Sequence, residues 1–215
     1  MLKVAVSWHD LDDPARRSPE SLIWPRNRHW KRDSMSAIKH ISISTANLST
    51  AYHEAGHAVA AWRLNIPLRR KGVTIIPDRA RGADGSIFHR QVVSKDIEYD
   101  RSNRNVLKAE RLAQLSLAGE IAQRRYSPRG MRSYHSESDQ EKAIDTLSYF
   151  AADARELEAW LKLLHIRTEN MFSNPDVWRA VVRLVGELTR RGTICGREAT
   201  EIIRLAFRTS ESRRR

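Results

Sequence analysis

At 215 residues, with 40% hydrophobic and 30% charged side chains, the chain is long enough for one core plus an appendage and too apolar to be disordered. Its net charge of +12 raises the question of a nucleic-acid or membrane-surface partner. The arginines are scattered, however, and aromatic residues do not alternate with them as a single-strand platform requires, so they read as solvated helix faces. A lone cysteine, Cys195, excludes an internal disulfide, and no run approaches the roughly 18 apolar residues of a membrane helix; the expectation is a cytoplasmic protein without a membrane span.

Residues 1–47 read as an irregular N-terminal extension. They hold three of the seven prolines (Pro14, Pro19, Pro25) and three of the six tryptophans (Trp8, Trp24, Trp30), with no persistent period. The first apolar patch, Val4-Ala5-Val6, is too short for a secretory signal. A translation start at Met35 would remove most of the segment. Regular structure is expected over 48–208, followed by a basic tail over 209–215 that contains Arg213-Arg214-Arg215.

Ser49 or Thr50 can cap a first helix with Ala51, Ala55, Ala58, Val59 and Trp62 on its apolar positions. Val73-Thr74-Ile75-Ile76 reads as a strand ending at Pro77, and Ser86-Ile87-Phe88 with Val92-Val93 as further strand. Residues 105–125 are helical, with Leu107, Leu112, Leu115, Ala118 and Ile121 or Ala122 on one side. A helix capped by Ser136 or Ser138 should bury Ala143, Ile144, Leu147 and Phe150. Another should follow over 155–172, with Leu157, Trp160, Leu161 and Leu164. Asn174-Pro175 is a cap with proline in the first turn, and that helix should stop at Gly192. Gly196 opens a last helix, near whose start Cys195 is expected as a buried thiol. The fold class is mostly α, an α+β domain with a small sheet beside the first helix.

That first helix carries His53-Glu54-Ala55-Gly56-His57. Positions i and i+4 share a helix face, so both imidazoles can reach one Zn2+ at about 2.0–2.1 Å. Glu54 lies roughly 100° round the helix, close enough to meet a water on that ion without displacing it, where it serves as general base for metal-assisted hydrolysis. Gly56 costs about 1 kcal/mol against alanine in a helix interior and so calls for a packing reason. A catalytic zinc usually takes three protein ligands. Glu120, His135, Glu137, Asp139 and Asp145 are all candidates for the third, and spacing leaves them open.

The segment from Ala51 to Val59 resembles the zinc helix of the FtsH-type ATP-dependent zinc proteases. Val73-Thr74-Ile75-Ile76-Pro77, Leu117-Ala118-Gly119, Ser138-Asp139-Gln140-Glu141-Lys142-Ala143 and the stretch from Leu188 to Ile203 resemble later blocks of that peptidase domain, in the same order over about residues 48–206. The resemblance implies a helical zinc-metallopeptidase domain with His53, His57 and Asp139 as metal ligands and Glu54 as base. It also implies that residues near Val73 to Pro77 flank the site, where a strand edge can pair with an extended polypeptide substrate. The chain departs from the family in several ways. It holds no phosphate-binding GxxxxGK[ST] loop, so an ATPase would have to be a separate partner. It reads His135-Ser136-Glu137-Ser138 where the family has Gly-Ala-x-Asn, and it has Gln123 where an acidic residue is common. The expected function is zinc endopeptidase on flexible chains. The alternative is a non-catalytic zinc-binding interaction module of the same fold.

Overall fold

The computed structural model describes residues 45–77, 85–89, 100–128 and 133–211, with side chains over 48–77, 85–89, 100–128 and 138–208. The expectations for residues 1–44, for Val92 and Val93, and for Arg213 to Arg215 lie outside the described residues. Six helices and one three-stranded antiparallel sheet make up the described part, so the chain is mostly α with a small sheet.

Repeated alanine makes α1 (Thr45–Arg63) the centre of the fold. Ala51, Ala55, Ala58, Val59, Ala60 and Ala61 are fully buried, because α2 (Asn103–Tyr126), α5 (Pro175–Arg191) and the sheet all pack on this helix. Gly56 has its packing reason in α2. A Cβ at Gly56 would lie 2.5 Å from the Ala122 Cβ and 2.8 Å from the Ala118 carbonyl oxygen. The helix begins at Thr45, so Ser49 and Thr50 lie inside it rather than capping it. It closes on Asn65 in the left-handed region, φ 55°, where the Ile66 N–H donates to the Ala61 carbonyl at 2.8 Å.

The sheet order is β2-β1-β3, with β1 Leu68–Thr74, β2 Ser86–His89 and β3 Thr193–Ile194. Val73 pairs with both Ile87 and Ile194, and Thr74 with both Ser86 and Thr193. The strand expected over Val73 to Ile76 therefore starts earlier and stops at Thr74. Arg69, Arg70 and Lys71 are exposed and join by backbone pairing, which leaves no apolar alternation to read. Ile75 leaves the ladder, though its N–H still donates to the Gly192 carbonyl at 2.9 Å, and Ile76 is 58% exposed. Both edges of β1 at Val73 and Thr74 are occupied, so the strand edge expected to receive a peptide there is not free.

Leu115, Ala118, Ile121 and Ala122 of α2 are buried as expected, but Leu107 is 53% exposed. Helix α3 (Ser133–Ser148) starts before either expected cap. It buries Ala143 and Leu147, whereas Ile144 is 41% exposed and Phe150 half-buried. Helix α4 (Ala154–Ser173) starts where Asp153 accepts from the Glu156 N–H at 2.9 Å. Asn174 caps α5 through its side-chain oxygen, 2.9 Å from the Asp176 N–H. Gly192, φ 75°, ends α5 as expected. Helix α6 (Gly196–Glu211) packs on α5 and β1.

Candidate metal centre

Two rows of residues at helical i, i+4, i+8 spacing build the site. On α1 the row is Ser49, His53, His57; on α2 it is Leu115, Gly119, Gln123, running the opposite way. Gly119 leaves room for both rings. A Cβ there would fall 2.7 Å from His53 Nε2 and closer still to His57 Nε2. The His57 Nδ1–H donates to the Leu115 carbonyl at 2.7 Å. That oxygen can only accept, so the lone pair of His57 sits on Nε2. His53 Nδ1 lies 3.1 Å from Gln123 Oε1, and the Gln123 amide in turn donates to Ser49 Oγ at 2.8 Å.

Asp139 comes from α3. Its Oδ2 lies 3.1 Å from His53 Nε2 and 2.9 Å from His57 Nε2, and the two Nε2 atoms are 3.0 Å apart. With both Nδ1 groups engaged elsewhere, three electron-pair donors converge on one point. His53, His57 and Asp139 are each 6–7% exposed, so little solvent separates the three electron-rich atoms, an arrangement that a bound cation would stabilise. A tetrahedral site with bonds of about 2.0–2.1 Å has ligand atoms about 3.3 Å apart, close to this triangle. Two nitrogens and a carboxylate oxygen form a donor set that zinc accepts. Among the described residues this is the one such group whose ligand atoms all lie within 4.8 Å; it could hold a metal ion.

The other Asp139 oxygen, Oδ1, accepts from Lys142 Nζ at 2.8 Å, which leaves Oδ2 alone to face the histidines. Burial raises the Asp139 pKa. Positive charge on His57, hydrogen bonds from the imidazoles and the Lys142 ammonium outweigh it and hold the carboxyl well below the usual carboxylate range. A metal ion held between the three residues would favour the ionised carboxylate in the same direction.

Glu120 is buried but committed elsewhere. Arg124 binds its Oε1, and Gln140 Nε2 donates to Oε2 at 2.9 Å. This bridge ties α2 to α3 one residue from Asp139. Asp145 is exposed, and the side chains of His135 and Glu137 lie outside the described residues. Cys195 is exposed rather than buried; its nearest polar partner is Glu198, at 3.9 Å.

Glu54 is 6% exposed, and among the described residues its carboxylate accepts no hydrogen bond. Burial pushes its pKa up to about 7, with Asp139 adding to the rise and His53 and Lys142 opposing it. The start of β2 covers it, since a Cβ at Gly85 would lie 2.9 Å from both Glu54 Cγ and Oε1. Sequence reasoning did not find Gly119, Lys142 or the Leu115 carbonyl as parts of the site. The signal for the α2 residues was the matching i, i+4 spacing on two helices.

No family model matches the chain, and no curated protein matches it. Among the described residues, no helix is long and apolar enough to cross a membrane.

Proposed function

We propose that this chain is a zinc-dependent endopeptidase acting on flexible or unfolded polypeptides, built on a helical peptidase fold resembling that of the FtsH-type proteases. The observation that carries the reading is the convergence of His53, His57 and Asp139 at 2.9–3.1 Å with both imidazole N–H groups turned away. Zinc held there supplies a Lewis acid that polarises a peptide carbonyl and acidifies water. Glu54 takes the proton from the attacking water and returns it to the departing amine. A carboxyl poised at about 7 is matched to both transfers near neutral pH.

Gly85 brings the start of β2 against Glu54. Among the described strands β2 has an outer edge, beside β1, and an extended peptide pairing with that edge would run past the base. The lone Cys195 fits a reducing compartment such as the cytoplasm, and folded substrates would need an ATPase to unfold them.

The test is Glu54→Gln, which keeps size and removes the base. Zinc content and thermal midpoint should match wild type, while turnover of a casein-like unfolded chain should fall by about 10²–10⁴. A fully zinc-loaded wild type that cuts no unfolded chain, even with an ATPase partner supplied, overturns the enzymatic reading in favour of an interaction module.

A further inference from the structure

Beyond the metal centre, α1 runs on to a second feature. Arg63 lies six residues past His57, about 9 Å along the helix axis. There the end of α1, the start of β1 and the first turn of α6 enclose an open groove. Gly196 makes it possible. A Cβ at that position would overlap the Arg69 carbonyl oxygen and lie 3.1 Å from the Leu68 Cβ, so only glycine lets α6 begin directly against β1.

The groove has an apolar floor and a cationic rim. Trp62, Ile66 and Leu68 contribute the floor. Trp62 stacks on Phe207, centroids 4.8 Å apart, so one face of its indole is already covered. Four arginines line the rim: Arg63, Arg70, Arg197 and Arg204. The one acidic residue lining it, Glu201, is committed to Arg204 through two contacts of 3.0 and 2.9 Å. Among the described residues, Arg63, Arg70 and Arg197 pair with no carboxylate. Three uncompensated guanidinium groups from three different elements, beside the positive end of a 16-residue helix, form a concentrated cationic patch over an apolar strip.

We propose that this groove docks an acidic segment of a partner protein, in which carboxylates flank a large apolar side chain. Guanidinium forks take carboxylates in bidentate pairs, and the strip formed by Trp62, Ile66 and Leu68 takes the apolar residue between them. A nucleic-acid strand fits less well. It needs a continuous run of phosphate contacts and a series of free aromatic faces, whereas Glu201 interrupts this rim and the indole has one face covered. The proposal involves no metal ligand and stands or falls independently of the peptidase reading.

The experiment uses the full chain and labelled probes read by fluorescence anisotropy: a short peptide alternating Asp and Glu with Leu and Phe, its Asn and Gln counterpart, and a thymidine oligonucleotide. The acidic peptide should bind, and the amide peptide should bind at least about tenfold more weakly. Arg70→Glu with Arg197→Glu should weaken the acidic peptide by about tenfold or more. Arg104→Glu with Arg111→Glu, the same charge change at exposed positions on α2, should shift it less than about threefold. All positions are exposed, and the thermal unfolding midpoint serves as the check on folding. The proposal is overturned if the acidic peptide does not bind, if both double variants weaken it equally, or if the oligonucleotide binds more tightly than the peptide.

Discussion

Gly119→Ala places a methyl group in the metal centre. The new Cβ would lie 2.7 Å from His53 Nε2 and 2.8 Å from His53 Cε1, against an ordinary contact of about 3.5 Å. Either α2 retreats by about 1 Å or the rings turn. Both responses break the His57–Leu115 and His53–Gln123 hydrogen bonds that orient the lone pairs. Losing one orienting partner of a metal ligand costs about 10–100-fold in affinity, so losing two should cost about 10²–10⁴. The metal-free fold should lose about 1–3 kcal/mol to the overpacking, partly offset by the roughly 1 kcal/mol of helix propensity that alanine gains over glycine, so the readout is the zinc-induced rise within each protein. The assay is thermal unfolding with zinc and with a chelator. Zinc at about 100 times its Kd stabilises wild type by about 2.7 kcal/mol, a rise of about 5–10 °C for a domain of this size. A hundredfold loss of affinity cuts that rise to about 1 °C. The control is Gly186→Ala on α5, where nothing lies within 4 Å of the added Cβ; it should keep the full zinc response. A Gly119→Ala protein that also keeps it would refute the assignment of this triangle as a metal centre.

The remaining expectations concern the supports of the site and the fold. Gln123→Ala should weaken zinc binding by about 10–100-fold in chelator competition, and Gln123→Glu should restore it; equal affinity in all three proteins would remove Gln123 as a positioning residue. Gly56→Ala should destabilise by about 1–3 kcal/mol in urea unfolding, because its methyl would meet the Ala122 Cβ at 2.5 Å; a neutral result would mean that α1 and α2 are not closely packed there. Asn174→Ala removes the side-chain cap of α5 and should cost about 1 kcal/mol in the same measurement, whereas Asn174→Ser should retain most of it.

The helices were legible in the sequence where chemistry marks their ends. Asn174-Pro175 and Gly192 bracket α5 because a side-chain acceptor, a fixed φ and a left-handed turn are local properties. Burial was less legible. The first half of α2 buries Asn105, Ala109 and Ala113. Leu107 stands about 200° round from Asn105 and faces outward, although it is the larger apolar side chain. The pattern of leucines pointed one way, but the small residues are the ones on the face that packs against neighbouring helices. In β1, Arg69, Arg70 and Lys71 extend a strand that has no apolar alternation, because partners on the sheet rather than a buried face define it. Cys195 is exposed for a related reason: α6 starts against β1 at Gly196, and the residue before it borders the open groove.

The histidine pair was readable from one helix because i and i+4 is a one-dimensional relation. The third donor was not, since five acidic or histidine residues were candidates and only the resemblance pointed to Asp139. What brings Asp139 to the histidines is tertiary. Glu120 on α2 holds Gln140 on α3 at 2.9 Å, which places the neighbouring Asp139 over the gap left by Gly119. Lys142 then occupies the carboxylate oxygen that faces away from the histidines. The same bridge removes Glu120 from contention as a ligand, because both of its oxygens are already bound. A buried carboxylate with two cationic or amide partners serves as a structural tie. One with a single cation on Oδ1 and two imidazole lone pairs facing Oδ2 has a place for a metal ion. Composition and spacing left both carboxylates open as candidates, and the difference arises only when α2 and α3 pack.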